Sequence, residues 1–370
     1  MKITDVQVYE LEAALSEEDS FGSSQGWRNS RQATVVKVLT DEGLVGWGEG
    51  GSKSQIERGV KPKIVGRGPF GALAALRGGS AQEQASYMAP SSICGLDIAL
   101  WDLMGKEVDL PIYKLLGGPF RKRVRVYATG LFFKKAENLP EVLAEEARGY
   151  VERGFTAVKM KVGYRPDRDV KCVSSVREAI GDDVQLMVDA NQAYTSHTAK
   201  ALGARLEECD VYWFEEPVPS HDLEGYIEVK NALGMAVAGG ETLRRLSEFG
   251  RLLSMRAVDI VQPDMDAGGL SGCRRIAALA EAFNTTLVPH SWGTQIKLAA
   301  CLHLTASLPP QPPAADPPPP LLEYDRTPNP LREEILIRPL EQKDGFMEVS
   351  EGPGLGVEVD ERTIQRYSVE

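Results

Sequence analysis

Three carboxylates follow one another at equal distances along the sequence, and each ends a short apolar run. Asp189, Glu215 and Glu241 are separated by 26 and 26 residues. If these runs are neighbouring parallel strands, the three side chains lie together at one edge and need a cation between them. A set made only of oxygen ligands, without His or Cys, favours Mg²⁺ or Mn²⁺ over zinc. One such carboxylate alone would more simply cap a helix or form an ion pair, but three in series favour a metal site.

Two lysines alternate with apolar residues in the run from Ala157 to Lys161. In a strand, Lys159 and Lys161 point to the same face, so both are expected to face the interior of the fold. Burial and a neighbouring positive charge lower the pKa of a lysine, which suits Lys161 to act as a general base. The alternative is an edge strand whose lysines lie in water, and the apolar flanks of this run disfavour it.

One of the four histidines, His290, ends another apolar run, and Asp264 ends the run before it. A carboxylate held against one ring nitrogen fixes the tautomer of a histidine and raises its basicity, so this pair is predicted to act as a general acid or base. The alternative is a packed polar histidine at a strand end. Glu323 ends the last run and is expected to hydrogen-bond to, or to protonate, a developing oxyanion, and Asn191 is expected to support the metal ligands.

The runs that carry these residues recur regularly along the second part of the chain. Each ends in a polar residue and is followed by an amphipathic helical stretch, which is typical of a repeated β/α unit. The predicted strands are residues 124–127, 156–161, 185–189, 211–215, 235–241, 258–264, 285–290 and 321–323. Eight such units predict an α/β fold, a TIM-like (β/α)-barrel with these side chains at its C-terminal mouth. An open doubly wound sheet is the alternative, but no GxGxxG or Walker motif follows any of the runs.

The two ends of the chain have a different pattern. Alternating residues near Lys2–Tyr9, 33–39 and 44–47 predict a small antiparallel sheet, and residues 90–116 predict helix. We therefore expect an α+β capping domain at 1–118, a (β/α)-barrel domain at 119–335, and a C-terminal tail at 336–370 that returns to the cap. The polar loop at residues 20–31 is either a flap over the site or a disordered turn.

Charge and composition limit the kinds of partner. The net charge is -11 and the basic residues are scattered, which argues against nucleic acid. No run of about 20 apolar residues indicates a membrane span, and the start of the sequence lacks the features of a signal peptide. The five cysteines show no CxxC spacing, which fits reduced thiols and a cytoplasmic location. A small molecule is the expected partner, and an anionic one would find its positive charge only within the site.

Taken together, these residues resemble the enolase superfamily, specifically the mandelate racemase subgroup of the mandelate racemase/muconate lactonizing enzyme family. The resemblance covers essentially the whole chain. The motifs that carry it are Val158-Lys-Met-Lys161, Val188-Asp-Ala-Asn191, Phe214-Glu-Glu-Pro217, Gly239-Gly-Glu241, Gln262-Pro-Asp264, Pro289-His290 and Leu322-Glu323. It implies that Mg²⁺ is held by Asp189, Glu215 and Glu241, with Glu216 behind these ligands.

The resemblance also implies a reaction in which an ene-diolate forms when the α-proton of a carboxylate leaves. Loss of a β-hydroxyl would make the protein an acid-sugar dehydratase that yields a 2-keto-3-deoxy acid. Reprotonation on the opposite face would make it a racemase or epimerase, and loss of a ring oxygen would make it a lactone cycloisomerase. Three segments look most like galactarolactone cycloisomerases: Tyr127-Ala-Thr-Gly130, Pro289-His-Ser-Trp-Gly-Thr294 and the segment from Glu323 to Pro330.

We favour dehydration of a sugar acid, an aldarate or aldonate, with the isomerases as the alternative. A barrel that binds a metal or a sugar acid without turnover is the non-enzyme alternative, and the intact lysines and His-Asp pair disfavour it. A metal-dependent hydrolase or aldolase would more often carry several histidines at the mouth. The family resemblance implies a homo-oligomer. At the distal end of the substrate, Arg28 or Arg31 is a candidate to bind a second carboxylate.

Overall fold

The chain folds into a ring of parallel strands and a smaller antiparallel sheet, seen in a computed structural model that describes residues 1–77 and 90–369. Residues 78–89 of the predicted cap and residue 370 of the predicted tail lie outside the described residues. The strands are β1 Ile3–Ala14, β2 Phe21–Ser23, β3 Gly26–Arg28, β4 Ser30–Thr40, β5 Val45–Glu49, β6 Arg123–Thr129, β7 Ala157–Lys161, β8 Gln185–Asp189, β9 Val211–Glu215, β10 Ala236–Gly239, β11 Ile260–Val261, β12 Thr286–Leu287, β13 Leu321–Asp325, β14 Gln342–Lys343 and β15 Phe346–Glu348.

Helices connect these strands and cover their outer face. The α-helices are Lys53–Gln55, Lys61–Ile64, Pro69–Arg77, Cys94–Glu107, Ile112–Leu115, Leu139–Glu152, Pro166–Ile180, Ser196–Glu207, Leu223–Ala232, Leu246–Ser254, Gly269–Ala282, Gln295–Ser307, Pro330–Glu334 and Glu361–Tyr367. A π-helical turn spans Ile56–Val60, and 3₁₀ turns span Pro90–Ser92 and Met265–Ala267. From β6 onwards, a helix follows each parallel strand, as the predicted β/α repeat requires.

Strands β6 to β13 form the predicted (β/α)-barrel. Neighbours pair in parallel in the order β12-β11-β10-β9-β8-β7-β6-β13. Their inner faces meet in one buried cluster, to which each of the eight β/α units contributes one residue. That cluster is Tyr127, Ala157, Met187, Trp213, Ala238, Ile260, Val288 and Leu321. It fills the barrel below the mouth, so the interior is packed and leaves the site at the C-terminal ends of the strands.

Two barrel strands are reduced to two residues each, well short of the predicted runs. The runs 258–264 and 285–290 form only β11 Ile260–Val261 and β12 Thr286–Leu287. Pro263 and Pro289 lack the backbone N–H that a continuous ladder needs, which accounts for the break. Pairing resumes as one isolated parallel bridge between Asp264 and His290. The two predicted partners therefore lie side by side at the mouth.

The N-terminal part forms a three-stranded antiparallel sheet in the order β1-β4-β5, on which the helix Cys94–Glu107 packs. The contact is close because it is made between glycines: a Cβ atom on Gly48 would lie 1.9 Å from the carbonyl oxygen of Gly95. Between β1 and β4, the predicted loop folds as the short hairpin β2–β3. This arrangement fits the predicted α+β cap.

The end of the chain returns to the cap, as predicted, and also extends the barrel sheet, which the sequence did not indicate. Gly354 bridges to Pro111, and Ser368 bridges to Leu11 of β1. In addition, β15 pairs antiparallel with the first residues of β6. The boundaries after residues 118 and 335 stay predictions. The five cysteines are buried free thiols, and none of the described helices has both the length and the apolarity to cross a bilayer.

Candidate active site

The three carboxylates predicted to bind metal meet at the mouth of the barrel. Asp189 ends β8, Glu215 ends β9, and Glu241 lies just after β10. One oxygen from each lies within 4.8 Å of the others. The Asp189 and Glu215 side chains are fully buried. Such a group of oxygen ligands has the composition that Mg²⁺ prefers in proteins.

Two features of the cluster fit a cation. Oε2 of Glu241 is buried and accepts no hydrogen bond within the described chain. Burial, together with the charges of Asp189 and Glu241, raises the pKa of Glu215 to about 8, although Lys159 acts in the opposite direction. Carboxylates that repel one another in this way are stabilised by a shared positive ion. The residues present therefore fit a divalent metal.

Asn191 and Glu216 support this cluster from two neighbouring loops. The Asn191 side-chain amide donates to Oδ2 of Asp189 at 3.1 Å and to Oε1 of Glu241 at 3.4 Å. Glu216 accepts hydrogen bonds from Nε2 of Gln192 at 3.1 Å and from Oγ1 of Thr242 at 3.0 Å. Burial and the charge of Glu241 raise the pKa of Glu216 to about 8. The structure thus places Glu216 beside the carboxylate cluster, where it joins the loops that follow β8 and β10.

Both lysines of β7 are buried among carboxylates. Nζ of Lys159 lies 2.7 Å from Oε1 of Glu215 and 2.9 Å from Oε1 of Glu323, and Lys161 pairs with Asp189. Burial lowers the pKa of each lysine as predicted, but these carboxylates outweigh it and the pKa is raised in both cases. The predicted lowering is therefore wrong for this charge arrangement, because the sequence reasoning counted the neighbouring lysine and not the anions around it.

His290 and Asp264 form a close hydrogen-bonded pair. Nδ1 of His290 lies 2.6 Å from Oδ2 of Asp264, and Nε2 lies 3.3 Å from Oε2 of Glu241. Burial lowers the pKa of His290, but the charges of Glu241, Glu323 and Asp264 outweigh it and raise the pKa to about 10. With Nδ1 turned to Asp264, Nε2 is the atom that faces the cavity. This is the orientation that proton transfer through Nε2 requires.

Glu323 lies between Lys159 and His290 at the end of the barrel ring. Its Oε1 accepts from Oγ1 of Thr129 at 2.7 Å, and its Oε2 accepts from the backbone N–H of Ser291 at 3.0 Å. Burial raises the pKa of Glu323, but Lys159 and His290 outweigh it and lower the pKa to about 2. Glu323 is thus a hydrogen-bond acceptor here. Both of its predicted roles, hydrogen-bonding to an oxyanion and protonating it, need a proton on Glu323, so neither fits this environment.

The cap hairpin closes the mouth of the barrel over these residues. A cavity of about 140 Å³ lies between them. It is lined by Phe21, Ser23, Gln25 and Arg28 from the hairpin, and by Phe132, Lys161, Asn191, Glu241, His290, Trp292 and Glu323 from the barrel. Oγ of Ser24 also donates to the carbonyl oxygens of Ala190 and Asn191, at 2.9 and 3.1 Å. Of the two predicted alternatives for residues 20–31, the structure therefore shows the flap.

The two candidate arginines have different environments. Arg31 is buried, donates to Asp325 at 2.8 Å and to Thr327 at 2.6 Å, and stacks 4.3 Å from the Trp292 ring. Its guanidinium is committed to the protein and does not line the cavity. Arg28 does line it, and no described carboxylate forms an ion pair with it. Of the two, Arg28 is therefore the one available to a ligand.

Two polar residues behind the His-Asp pair were missed in the sequence. Nζ of Lys297 lies 3.1 Å from Oδ1 of Asp264, and the carboxylate of Glu49 accepts hydrogen bonds from the backbone N–H groups of Thr294 and Lys297. Both side chains are buried. The signal for Lys297 was present: it is the charged residue in the otherwise largely apolar helix Gln295–Ser307. For Glu49 there was no comparable signal, because it ends an ordinary cap strand.

The site as a whole combines a carboxylate cluster with the lysine and the histidine that the sequence predicted to transfer protons. Lys161 and His290 come from different arcs of the barrel ring and line the same cavity. A substrate between them would have one group on each side and the cluster beneath. Fold and site together define a (β/α)-barrel with a carboxylate cluster that fits a metal, a lysine and a histidine beside this cluster, and a cap that covers them.

Comparison with known proteins agrees with this class. Residues 10–117 match the model of the mandelate racemase/muconate lactonizing enzyme N-terminal domain, and residues 142–363 match the enolase C-terminal domain-like model. The chain belongs to the mandelate racemase/muconate lactonizing enzyme family of the enolase superfamily, whose members are enzymes that use Mg²⁺. The family predicted from the motifs is confirmed, and the non-enzyme alternative is not supported.

Three relatives illustrate the likeness. D-galactarolactone cycloisomerase from Agrobacterium fabrum is 38% identical, with 99% of each chain covered. The structure of 3,6-anhydro-D-galactonate cycloisomerase from Zobellia galactanivorans is 35% identical, with a TM-score of 0.87 and 100% of each chain covered. L-talarate/galactarate dehydratase from Salmonella typhimurium is 27% identical, with a TM-score of 0.85, over 100% of this chain and 92% of that one. A variant of a dehydratase with that name was solved with Mg and L-glucarate.

Proposed function

We propose that this protein is a Mg²⁺-dependent enzyme that removes the α-proton of a sugar acid or its lactone and expels the oxygen on the β-carbon. One observation carries the proposal: Lys161 and His290 line the same cavity beside the carboxylate cluster. An acid and a base on two sides of a substrate are the groups that such an elimination needs. The relatives, whose names describe sugar acid and lactone substrates, support this substrate class.

The metal would be held by Asp189, Glu215 and Glu241, whose oxygens already lie together. When bound, a divalent cation supplies positive charge that offsets the negative charge developing on the substrate carboxylate as the α-proton leaves. Lys159 is the second positive group at this place and is fixed by Glu215 and Glu323. Its proposed role is therefore to orient and stabilise the carboxylate, and Lys161 is left as the base. Lys161 accepts a proton only in its neutral form, which a cation bound to Asp189 would favour by offsetting the charge that raises the pKa of this lysine.

Two protein groups, Lys161 and His290, transfer protons in the proposed reaction. Lys161 takes the α-proton, and the electron pair of that C–H bond moves into the substrate carboxylate to give an ene-diolate. In a second step, that pair forms a double bond between the α- and β-carbons as the β-carbon–oxygen bond breaks. His290 donates its Nε2 proton to the leaving oxygen, while Asp264 holds Nδ1. The resulting enol gains a proton on the β-carbon and becomes a 2-keto acid. Glu323 keeps Lys159 in place throughout this sequence.

The leaving oxygen distinguishes the two leading candidates. If it is a free hydroxyl, water is released and the enzyme is a dehydratase, the reaction favoured from the sequence. If it belongs to a ring, the ring opens with no loss of atoms and the enzyme is a cycloisomerase. The likeness of the whole chain to two cycloisomerases, at 38% and 35% identity, now favours the ring oxygen. Dehydration of an open-chain sugar acid is the second candidate, supported by the dehydratase relative.

We further propose that Arg28 binds the distal end of the substrate. Arg28 lines the cavity from the hairpin β2–β3, and Arg31 is already paired with Asp325. A carboxylate is the group that a guanidinium binds best, through two parallel hydrogen bonds. This assignment favours aldarates, which carry a second carboxylate, and aldarolactones, whose second carboxyl group is the ring ester until the ring opens, over aldonates.

The decisive experiment follows products by NMR in D₂O with Mg²⁺. The panel contains aldarolactones, anhydro-aldonates, open-chain aldarates and aldonates. A 2-keto-3-deoxy acid from a lactone or ring ether establishes the cycloisomerase, and the same product from an open-chain acid establishes the dehydratase. Deuterium exchange with inversion and no elimination identifies a racemase or epimerase. The proposal fails if the Lys161→Ala and His290→Asn variants retain the activity of the unmodified protein.

A further inference from the structure

A buried lysine lies directly behind the His-Asp pair. Nζ of Lys297 is 3.1 Å from Oδ1 of Asp264 and 3.3 Å from Oδ1 of Asp266. The side chain is buried, and the charges of these two carboxylates and Glu49 keep it protonated against the effect of burial. A buried ammonium group has a large desolvation cost, which its ion pairs with these carboxylates offset.

The two oxygens of Asp264 have separate partners. Oδ2 accepts from His290, whereas Oδ1 accepts from Nζ of Lys297 and from the backbone N–H of Asp266, the latter at 2.7 Å. With Oδ1 held by two donors, the carboxylate has one orientation in which Oδ2 meets the imidazole. Without Lys297, the backbone N–H alone would oppose rotation of the group.

The helix that carries Lys297 is itself fixed by the cap. The carboxylate of Glu49, at the end of β5, accepts from the Thr294 backbone N–H at 2.9 Å and from its hydroxyl at 2.6 Å. It also accepts from the Lys297 backbone N–H at 3.1 Å. These are the unpaired N–H groups of the first turn of the helix Gln295–Ser307, which a negative charge stabilises. Lys297 therefore connects the cap sheet to the imidazole: its backbone N–H binds Glu49, and its Nζ binds the carboxylate that holds His290.

We propose that Lys297 is a positioning residue for proton transfer: it fixes Asp264 so that Nε2 of His290 is held toward the leaving oxygen, and Glu49 of the cap anchors it. The proposal rests on the proposed function, because it assigns Lys297 to the step that His290 performs. The proposal concerns only the His290 side of the site, because Lys161 is paired with a different carboxylate, Asp189. Loss of Lys297 should therefore slow the breaking of the β-carbon–oxygen bond and leave removal of the α-proton largely unaffected.

The test compares Lys297→Met with the unmodified enzyme in D₂O and Mg²⁺. Methionine keeps the length and flexibility of the side chain and removes its charge. The elimination rate should fall about 10- to 100-fold, the usual effect of losing a second-layer partner. Exchange of the α-proton through Lys161 should stay within about twofold. Lys37→Met is the matched control, because Lys37 is a largely buried cap lysine paired with Glu361 at 2.7 Å, and it should leave both rates unchanged.

A double-mutant cycle adds a readout that a purely structural role would not alter. In a His290→Asn background, Lys297→Met should change the remaining elimination rate by less than about twofold, because its effect on elimination passes through the imidazole. Equal losses of exchange and elimination in the single variant, multiplicative losses in the double variant, or no loss at all would each overturn the inference. Failure of the proposed function is recognised separately, because His290→Asn alone would then eliminate at the normal rate.

Discussion

The imidazole of His290 and the carboxylate of Asp264 are joined twice, by a 2.6 Å contact from Nδ1 to Oδ2 and by a parallel backbone bridge between the same two residues. The backbone bridge fixes the distance between their Cα atoms, and the side-chain contact fixes the orientation of the ring. Lys297 and the Asp266 N–H hold the other carboxylate oxygen, so the orientation of the Asp264 carboxylate is fixed as well. The pair therefore behaves as one unit.

Asp264→Asn should lower the turnover number by about 100-fold or more, within the range that general acid–base groups contribute. The variant keeps the size of the side chain and loses one of the three charges, those of Glu241, Glu323 and Asp264, that together raise the pKa of His290 to about 10. The pKa of the imidazole should therefore fall, and the alkaline limb of the pH–rate profile should move to lower pH. A steady-state pH profile checks both effects.

The matched control for this prediction is Asp266→Asn. Asp266 also contacts Lys297 but touches the His-Asp pair only through its backbone N–H. Its loss should leave the alkaline limb in place. An Asp264→Asn enzyme with an unshifted limb and normal turnover would show that His290 does not depend on its carboxylate partner.

The sequence predicted the main plan of the fold because its signals are local. Each barrel strand is an apolar run ended by a polar residue, so the repeat placed Asp189, Glu215 and Asp264 at one edge before any contact was known. The strand alternation likewise placed Lys159 and Lys161 on one face, as the structure shows. These conclusions need only the periodicity of the backbone.

The pKa values of the lysines and the roles of Arg31 and Lys297 depend on contacts between segments that are distant in the sequence. The pKa of Lys159 is governed by Glu215 and Glu323, which lie 56 and 164 positions away in sequence. The role of Arg31 was decided by Asp325, and that of Lys297 by Asp264. No local pattern reports which charges meet in space, and for this reason the lysine pKa and the choice between the two arginines were beyond sequence reasoning.

Glu241→Gln should weaken Mg²⁺ binding by about 100-fold or more, because it removes one charge from the cluster and replaces a buried oxygen that has no hydrogen-bond donor. Glu216→Gln is the neighbouring comparison. Glu216 contacts Gln192 and Thr242, so its neutral variant should lose about 10-fold, as expected for a residue behind the ligands. Isothermal titration with Mg²⁺ measures both. Equal affinities for the two variants would contradict the assignment of Glu241 as a ligand.

Arg28→Gln should raise KM for a substrate with a distal carboxylate by about 10- to 100-fold, the equivalent of one charged hydrogen-bonding contact. KM for a substrate with a neutral distal end should stay within about twofold. Steady-state kinetics on one member of each class gives the comparison. Lys135→Gln is the control, since Lys135 lies close to Trp27 of the same hairpin and pairs with Glu17. Equal changes for both substrate classes would end the distal-carboxylate proposal.

His303 should make the free energy of unfolding depend on pH. It is buried in the helix Gln295–Ser307, where Nε2 meets the carbonyl oxygen of Leu355 at 3.0 Å and Nδ1 accepts from the backbone N–H of Tyr113 at 3.4 Å. Burial lowers the pKa of His303 to about 4, although the Leu355 carbonyl acts in the opposite direction. Both ring nitrogens are used by the neutral imidazole, so a second proton would meet the Tyr113 N–H.

The unfolded chain has the ordinary histidine pKa of about 6.5, so between pH 6.5 and 4 it binds more protons than the folded protein. The free energy of unfolding therefore falls as pH is lowered through this window, by about 3 kcal/mol from this one group. Urea unfolding at pH 7 and pH 4.5 should show the loss, and His303→Gln should remove most of it, at the cost of lower stability at pH 7. His197→Gln, at an exposed position, should keep the full pH dependence. If the His303 and His197 variants show the same slope, the acid sensitivity arises elsewhere in the molecule.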